Sequence, residues 1–137
     1  TALTGNKIVM SRWNNGGDNA WILFVSRTSF DATLRFEYPG GNITSGTVPS
    51  NQWSHVAVTR SGTTIRTFLN GVQQGTSVTG NTSNLNVTAG FYVGILNSSF
   101  SPTTRTFQGY LDDLRITKGY ARYTANFTPP TSQLQDQ

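Results

Sequence analysis

The sequence predicts an all-β protein, an antiparallel sandwich or barrel, and three observations carry that reading. Short runs of alternating or continuous apolar residues recur at roughly ten-residue spacing, separated by Gly, Pro, Asn and Ser turn signals. No helical period is sustained beyond a turn or two, and no unit of 20 to 50 residues repeats. The stretch Trp53 to Gly75, WSHVAVTRSGTTIRTFLNGVQQG, reads as two strands and a short third joined by tight turns.

Taken in order, Lys7 to Trp13 is the first expected strand, and NNGGDN (Asn14 to Asn19) is too glycine-rich to be anything but a loop. Trp21 to Val25, WILFV, is a continuous apolar run of the kind covered on both faces. In Thr33 to Tyr38, Leu34 and Phe36 alternate with Arg35 and Glu37, so one face is wet. Pro39-Gly40-Gly41 breaks that strand, and Asn42 to Val48 is a weaker one. From Trp53 to Arg60, Val56 and Val58 share a face opposite Trp53, His55, Ala57 and Thr59; Ser61-Gly62 then turns the chain. Ile65 to Leu69 follows, and Asn70-Gly71, suited to the positive φ angles of a type I′ hairpin, leads into Val72 to Gln74. The polar segment up to Thr88 is an edge strand or irregular connection anchored at Val78, Leu85 and Val87. Phe91 to Ile95 is strand-like, Leu96 to Arg105 a long loop, and Phe107 to Thr117 a strand with Tyr110, Asp112, Leu114 and Ile116 on one side. Lys118 to Thr124 is expected to make one helical turn, and residues 125–137 an extended tail whose Phe127 lies in a groove on the body.

Composition bounds the function. A length of 137 residues suits one domain with a real core. Charged residues are only 12% of the chain, about half the usual share, so the surface is neutral and hydroxyl-rich. The net charge is +4, but the ten Lys and Arg are scattered from Lys7 to Arg122 without a cluster, which argues against nucleic acid as a partner. Without cysteine, neither disulfides nor a zinc-thiolate site is possible. No apolar run approaches the roughly 20 residues that span a bilayer, so membrane insertion is not expected. The first residues, TALTGNKIVM, lack both an initiator Met and the pattern of a signal peptide, as expected of a cut or processed piece. Sequons at Asn42, Asn81, Asn86, Asn97 and Asn126 carry little weight in a chain so rich in Asn, Ser and Thr.

The block WSHVAVTRSGTTIRTFLNGV together with FQGYLDDLRITKGYARYTANFTPP resembles the laminin-G-like jelly-roll family of the concanavalin A-like lectin/glucanase superfamily. The resemblance implies a two-sheet antiparallel jelly-roll sandwich filling residues 1–137, and recognition of glycan or protein at surfaces. The ending resembles modules of phage tail fibres and large bacterial surface proteins, which implies an extracellular or virion-surface location. The family usually opens with a strand before the position of Lys7; its lack here implies a sheet edge covered by other subunits or by an upstream segment. Asp18 to Ser26, DNAWILFVS, is also similar to a pentraxin segment whose Asp and Asn bind calcium. Carried over, that implies Ca2+ at Asp18 and Asn19, with Asn97 as a further oxygen donor. The later loop ILNSSFSPTT lacks the carboxylates that pentraxins supply.

Catalysis finds little support in the residues. Glycoside hydrolysis needs paired carboxylates, yet Glu37 is the only Glu, and adjacent Asp112 and Asp113 would point to opposite faces of a strand. His55, the only histidine, has a structural role ready in its strand and no nucleophile-elbow motif near it. The chain is therefore expected not to be an enzyme. Exposed aromatic faces stack on sugar rings while amides and carboxylates meet hydroxyls, and this points to Trp13 at the rim of NNGGDN, with Asn14, Asn15, Asp18, Tyr38 and Asn97 as the carbohydrate-binding set. Trp21 and Trp53 are expected in the core. The leading expectation is a non-catalytic module binding cell-surface glycan. Its rival is a structural module packing against partner subunits, with a glucan hydrolase a distant third.

Overall fold

A computed structural model describes residues 5–13, 20–27, 32–97 and 105–134, and among these the regular elements are eight antiparallel strands. They are β1 (Gly5–Arg12), β2 (Trp21–Arg27), β3 (Ala32–Tyr38), β4 (Gly41–Thr47), β5 (Val56–Ser61), β6 (Thr64–Leu69), β7 (Val72–Val78) and β8 (Phe91–Val93). Two sheets result, one of five strands in the order β4-β3-β2-β1-β8 and one of three in the order β5-β6-β7.

The pleat sorts the side chains as the alternation in the sequence requires. Leu34, Phe36 and Tyr38 of β3 join Val9, Leu23, Val25 and Ile43 on the inner face of the large sheet, against Ile65 of the small one, with Val56, Val58 and Val78 packed around them. β2 is apolar on both faces because the large sheet is covered twice. Ile22 and Phe24 point outward, where Ile8, Leu96 and Trp13 form a second cluster. A bulge between Ile8 and Met10 lets β1 serve both layers. Across the core, Ser45 of β4 and Thr67 of β6 share a buried hydroxyl bond of 2.7 Å, which satisfies two polar groups and fixes the sheets to each other.

Several expectations need correction. Trp53 precedes β5 instead of lying in it and is 68% exposed. Phe107 to Thr117 forms no ladder, and Leu114 and Ile116 are 48% and 61% exposed. The reason is local: Asp113 takes a φ of 49° and donates its N–H to Asp112 Oδ1 at 2.9 Å, a side-chain turn that interrupts the pleat. Lys118 to Thr124 makes bends and no helical turn. β7 continues to Val78, and β8 stops at Val93.

Among the described residues, the open edge expected near the amino end falls on half of β1. β8 pairs with Met10 to Arg12 alone, so among the described residues Gly5 to Ile8 have a strand neighbour only in β2. The tail does dock on the body. Phe127 donates its N–H to Gly71 O at 2.9 Å, stacks on Tyr123 with centroids 3.5 Å apart, and meets Phe68 and His55 edge-on.

Candidate functional site

The loop-rich end of the large sheet holds a recess of about 440 Å³ lined by Trp13, Glu37, Tyr38, Pro39, Gly40, Gly41 and Asn42. Its shape follows from one hairpin. Pro39, with φ fixed near −65°, and Gly40 at φ 94° are the pair that a type II turn requires, so β3 reverses into β4 with Tyr38 opposite Gly41 and Glu37 opposite Asn42. The two glycines leave the turn without side chains. Glu37 lies on the face opposite Phe36 and Tyr38, in register with Ile22, and Trp13 packs on the cluster containing that same Ile22. An indole, a carboxylate and an amide are thereby gathered on the outer face.

The amide is oriented by its neighbours. Arg35 Nη2 and Thr44 Oγ1 both donate to Asn42 Oδ1, at 3.1 and 3.3 Å, which leaves the NH2 as the donating side. The Arg35 guanidinium itself lies over the Phe24 ring, 5.6 Å from its centroid. Trp13 is half-buried, with part of its ring held by packing and part facing the recess.

Of the expected carbohydrate-binding residues, the fold thus brings Trp13 to a concave surface. Tyr38 borders the same recess, but its side chain is 7% exposed and stacked on Phe36 at 5.9 Å, so its ring face belongs to the core. Asn97 is 4% exposed and engaged with its neighbours, beside the Ile95 and Leu96 carbonyls that accept the Ser11 hydroxyl. It stands in the wall of the sandwich and away from open solvent. Asn14, Asn15, Asp18 and Asn19 lie outside the described residues. Glu37 and Asn42 were missed as site residues, although Tyr-Pro-Gly-Gly as a two-residue hairpin already sets them opposite each other.

For calcium, the described residues offer no group of three or more His, Cys, Asp or Glu. Asn97, the third donor of that expectation, is 4% exposed. Asp18 and Asn19, the other two expected donors, lie outside the described residues.

A second and larger cleft, about 1330 Å³, lies between the sheets and the carboxyl-terminal segment, bordered by Val9, Leu23, Val58, Trp53, Tyr110 and Leu114 among others. Asp112 and Asp113 border this cleft, whereas Glu37 is the only carboxylate among the described residues lining the first. His55 is half-buried against Tyr123 and Phe127, and its buried Nδ1 has no hydrogen-bond partner. Burial pushes its pKa below the ordinary 6.5.

Several cations serve as clamps. Arg60 donates to the carbonyls of Gly62, Asn81 and Ser83, and Arg12 to those of Ala89 and Val87 and to Asn86 Oδ1. Together they pin the segment between β7 and β8 to the two sheets.

No curated protein and no solved structure gives a significant match to the chain. Residues 1–122 match the laminin-G-like family model of the concanavalin A-like lectin/glucanases superfamily. With that match covering most of the chain, and with two antiparallel sheets packed around one core, the protein belongs to the laminin-G-like family of the concanavalin A-like superfamily.

Proposed function

We propose that this domain is a non-catalytic glycan-recognition module, carried on an extracellular or virion surface such as that of a phage tail or bacterial surface protein, which binds cell-surface carbohydrate. The observation that supports it best is the recess joining Trp13 to Glu37 and Asn42. A pyranose has an apolar C–H face and a rim of hydroxyls, and each finds its counterpart there: the indole for the face, a carboxylate acceptor and an amide donor for the rim. A volume of about 440 Å³ lies within the usual range for small-ligand sites. Membership of a superfamily containing lectins agrees with this reading.

A glycan array tests it, run with and without calcium because Asp18, Asn19 and Asn97 are the proposed cation ligands. We expect hits that Trp13→Ala weakens about tenfold or more, as loss of a central aromatic anchor does. An array blank in both conditions would end the proposal.

One observation favours a second reading, a structural module of a fibre or capsid. Trp53, Tyr110, Leu114, Ile116 and Tyr120 are exposed large apolar residues that border or adjoin the larger cleft, and half of β1 has no second strand neighbour among the described residues. Protection of Trp53 from quenching in the assembled parent protein, with no sugar bound, would support it.

A further inference from the structure

Resting on the glycan reading of the Trp13 recess, we propose that Glu37 is its specificity-determining residue and selects neutral pyranoses over acidic ones. The whole-chain charge of +4 argues the other way, since a basic protein should attract uronic or sialic acids. The decision between the two turns on distance.

At physiological ionic strength charges are screened over about 8 Å, so cations scattered across a domain act weakly on a ligand seated in one recess. What counts is the lining. Among its described residues there is one charged side chain, Glu37, and no Lys or Arg. Arg35 donates to Asn42 Oδ1 and lies over the Phe24 ring, so its guanidinium is held beside the recess and does not line it. Arg12 and Arg60 are tied to backbone carbonyls, while Lys7 and Arg27 border the larger cleft. The sequence leading on from Trp13, Asn14 to Asn19, contains an Asp and no cation.

The hydrogen-bonding chemistry agrees. An ionised carboxylate only accepts, and its two oxygens suit the O–H groups of adjacent ring hydroxyls, which donate to it in charge-assisted bonds. The Asn42 NH2 then donates to a hydroxyl or ring oxygen. A sugar carboxylate in place of a hydroxymethyl group would bring acceptors to an acceptor and a second negative charge to the first.

The test compares matched ligands differing only at C6: neutral hexosides (glucose, galactose and mannose series) and their uronic acids, titrated by 1H–15N NMR. With wild type we expect the neutral member of a binding pair to be favoured about tenfold or more, the size of one charged hydrogen bond. That ratio should shrink in 0.5 M NaCl, where the Debye length falls to about 4 Å. Glu37→Gln keeps shape and acceptor geometry on one atom, and is expected to lower neutral-sugar affinity while bringing the ratio near one. Trp13→Ala should weaken both members alike and leave the ratio standing. Uronates bound as tightly as their neutral partners, or a ratio unchanged by Glu37→Gln or by salt, would overturn the role of Glu37 and leave glycan binding intact. Shifts mapped away from Trp13 and Asn42, or no binding by either series, would overturn the glycan reading of the recess itself.

Discussion

At the scale of single residues, the carboxyl-terminal latch shows how few atoms hold a segment in place. Gly71 closes the β6–β7 hairpin at φ 79°, and a Cβ there would collide with the Phe127 carbonyl. Gly71→Ala therefore combines an unfavourable backbone region with a steric clash, and should lower stability by about 2 kcal/mol or more in urea melts. Phe127→Ala removes a ring stacked on Tyr123 and edge-on to Phe68 and His55, with an expected loss of about 2 kcal/mol for a half-buried aromatic. His55 adds a pH dependence to the same cluster. Its folded pKa lies below the ordinary 6.5 because burial disfavours the imidazolium. Between the two values the unfolded chain holds more protons, so the stability contributed by neutral His55 is complete above about 6.5 and is lost as pH falls through 6.5 toward the folded value. Urea midpoints should fall from pH 7.5 to 5.5 in wild type and lose that component in His55→Phe, which keeps a ring without a titrating group. An unchanged slope in the variant would place the dependence elsewhere.

At the scale of elements, alternation was readable wherever both neighbours of a strand were themselves regular. β3 shows this best: Leu34, Phe36 and Tyr38 go inward and Arg35 and Glu37 outward, as the spacing of Thr33 to Tyr38 requires. Phe107 to Thr117 alternates as well, and still forms no ladder, because period-two spacing does not register a side chain competing for the backbone at Asp112-Asp113. Trp53 failed for a related reason: being bulky and apolar favours a core position, but two residues of irregular chain, Ser54 and His55, separate it from β5. The candidate site was half legible. Trp13 stood out as an aromatic entering a polar loop, whereas Glu37 and Asn42 become neighbours only once the Pro39-Gly40 turn is built. The unladdered segment leads to a direct measurement. Backbone amides without ladder bonds should exchange with solvent orders of magnitude faster than those of a central strand, so Leu114 and Ile116 are expected to lose protection long before Thr67 and Phe68 of β6. Protection of Leu114 equal to that of Phe68 would mean that this segment pairs with a sheet in solution.

At the scale of the whole molecule, the family match ends at residue 122, just before the two rings that cover the small sheet. Phe68 is fully buried, and Tyr123 and Phe127 are both packed edge-on against it. The tail is also bonded along its length: Thr59 Oγ1 donates to Tyr123 O at 2.7 Å, Gln73 N to Asn126 Oδ1 at 2.8 Å, and Phe127 N to Gly71 O at 2.9 Å. These contacts span β5, the β6–β7 turn and β7, so they bind three strands whose own sheet has only one central member. A three-stranded sheet depends on burying its hydrophobic faces, and these contacts bury the one on which Phe68 stands. Residues 1–122 alone should therefore be far less stable than the full chain, by about 3 to 5 kcal/mol, the cost of opening a buried aromatic site. That is a large part of the 5 to 15 kcal/mol that holds a typical domain together. A chain ending at residue 134 retains both rings, every bond named and the contacts of Gln133 and Leu134, and should melt in urea with the 137-residue chain. If residues 1–122 melt there too, the cover over Phe68 comes from elsewhere in the sandwich, and the tail is an appendage.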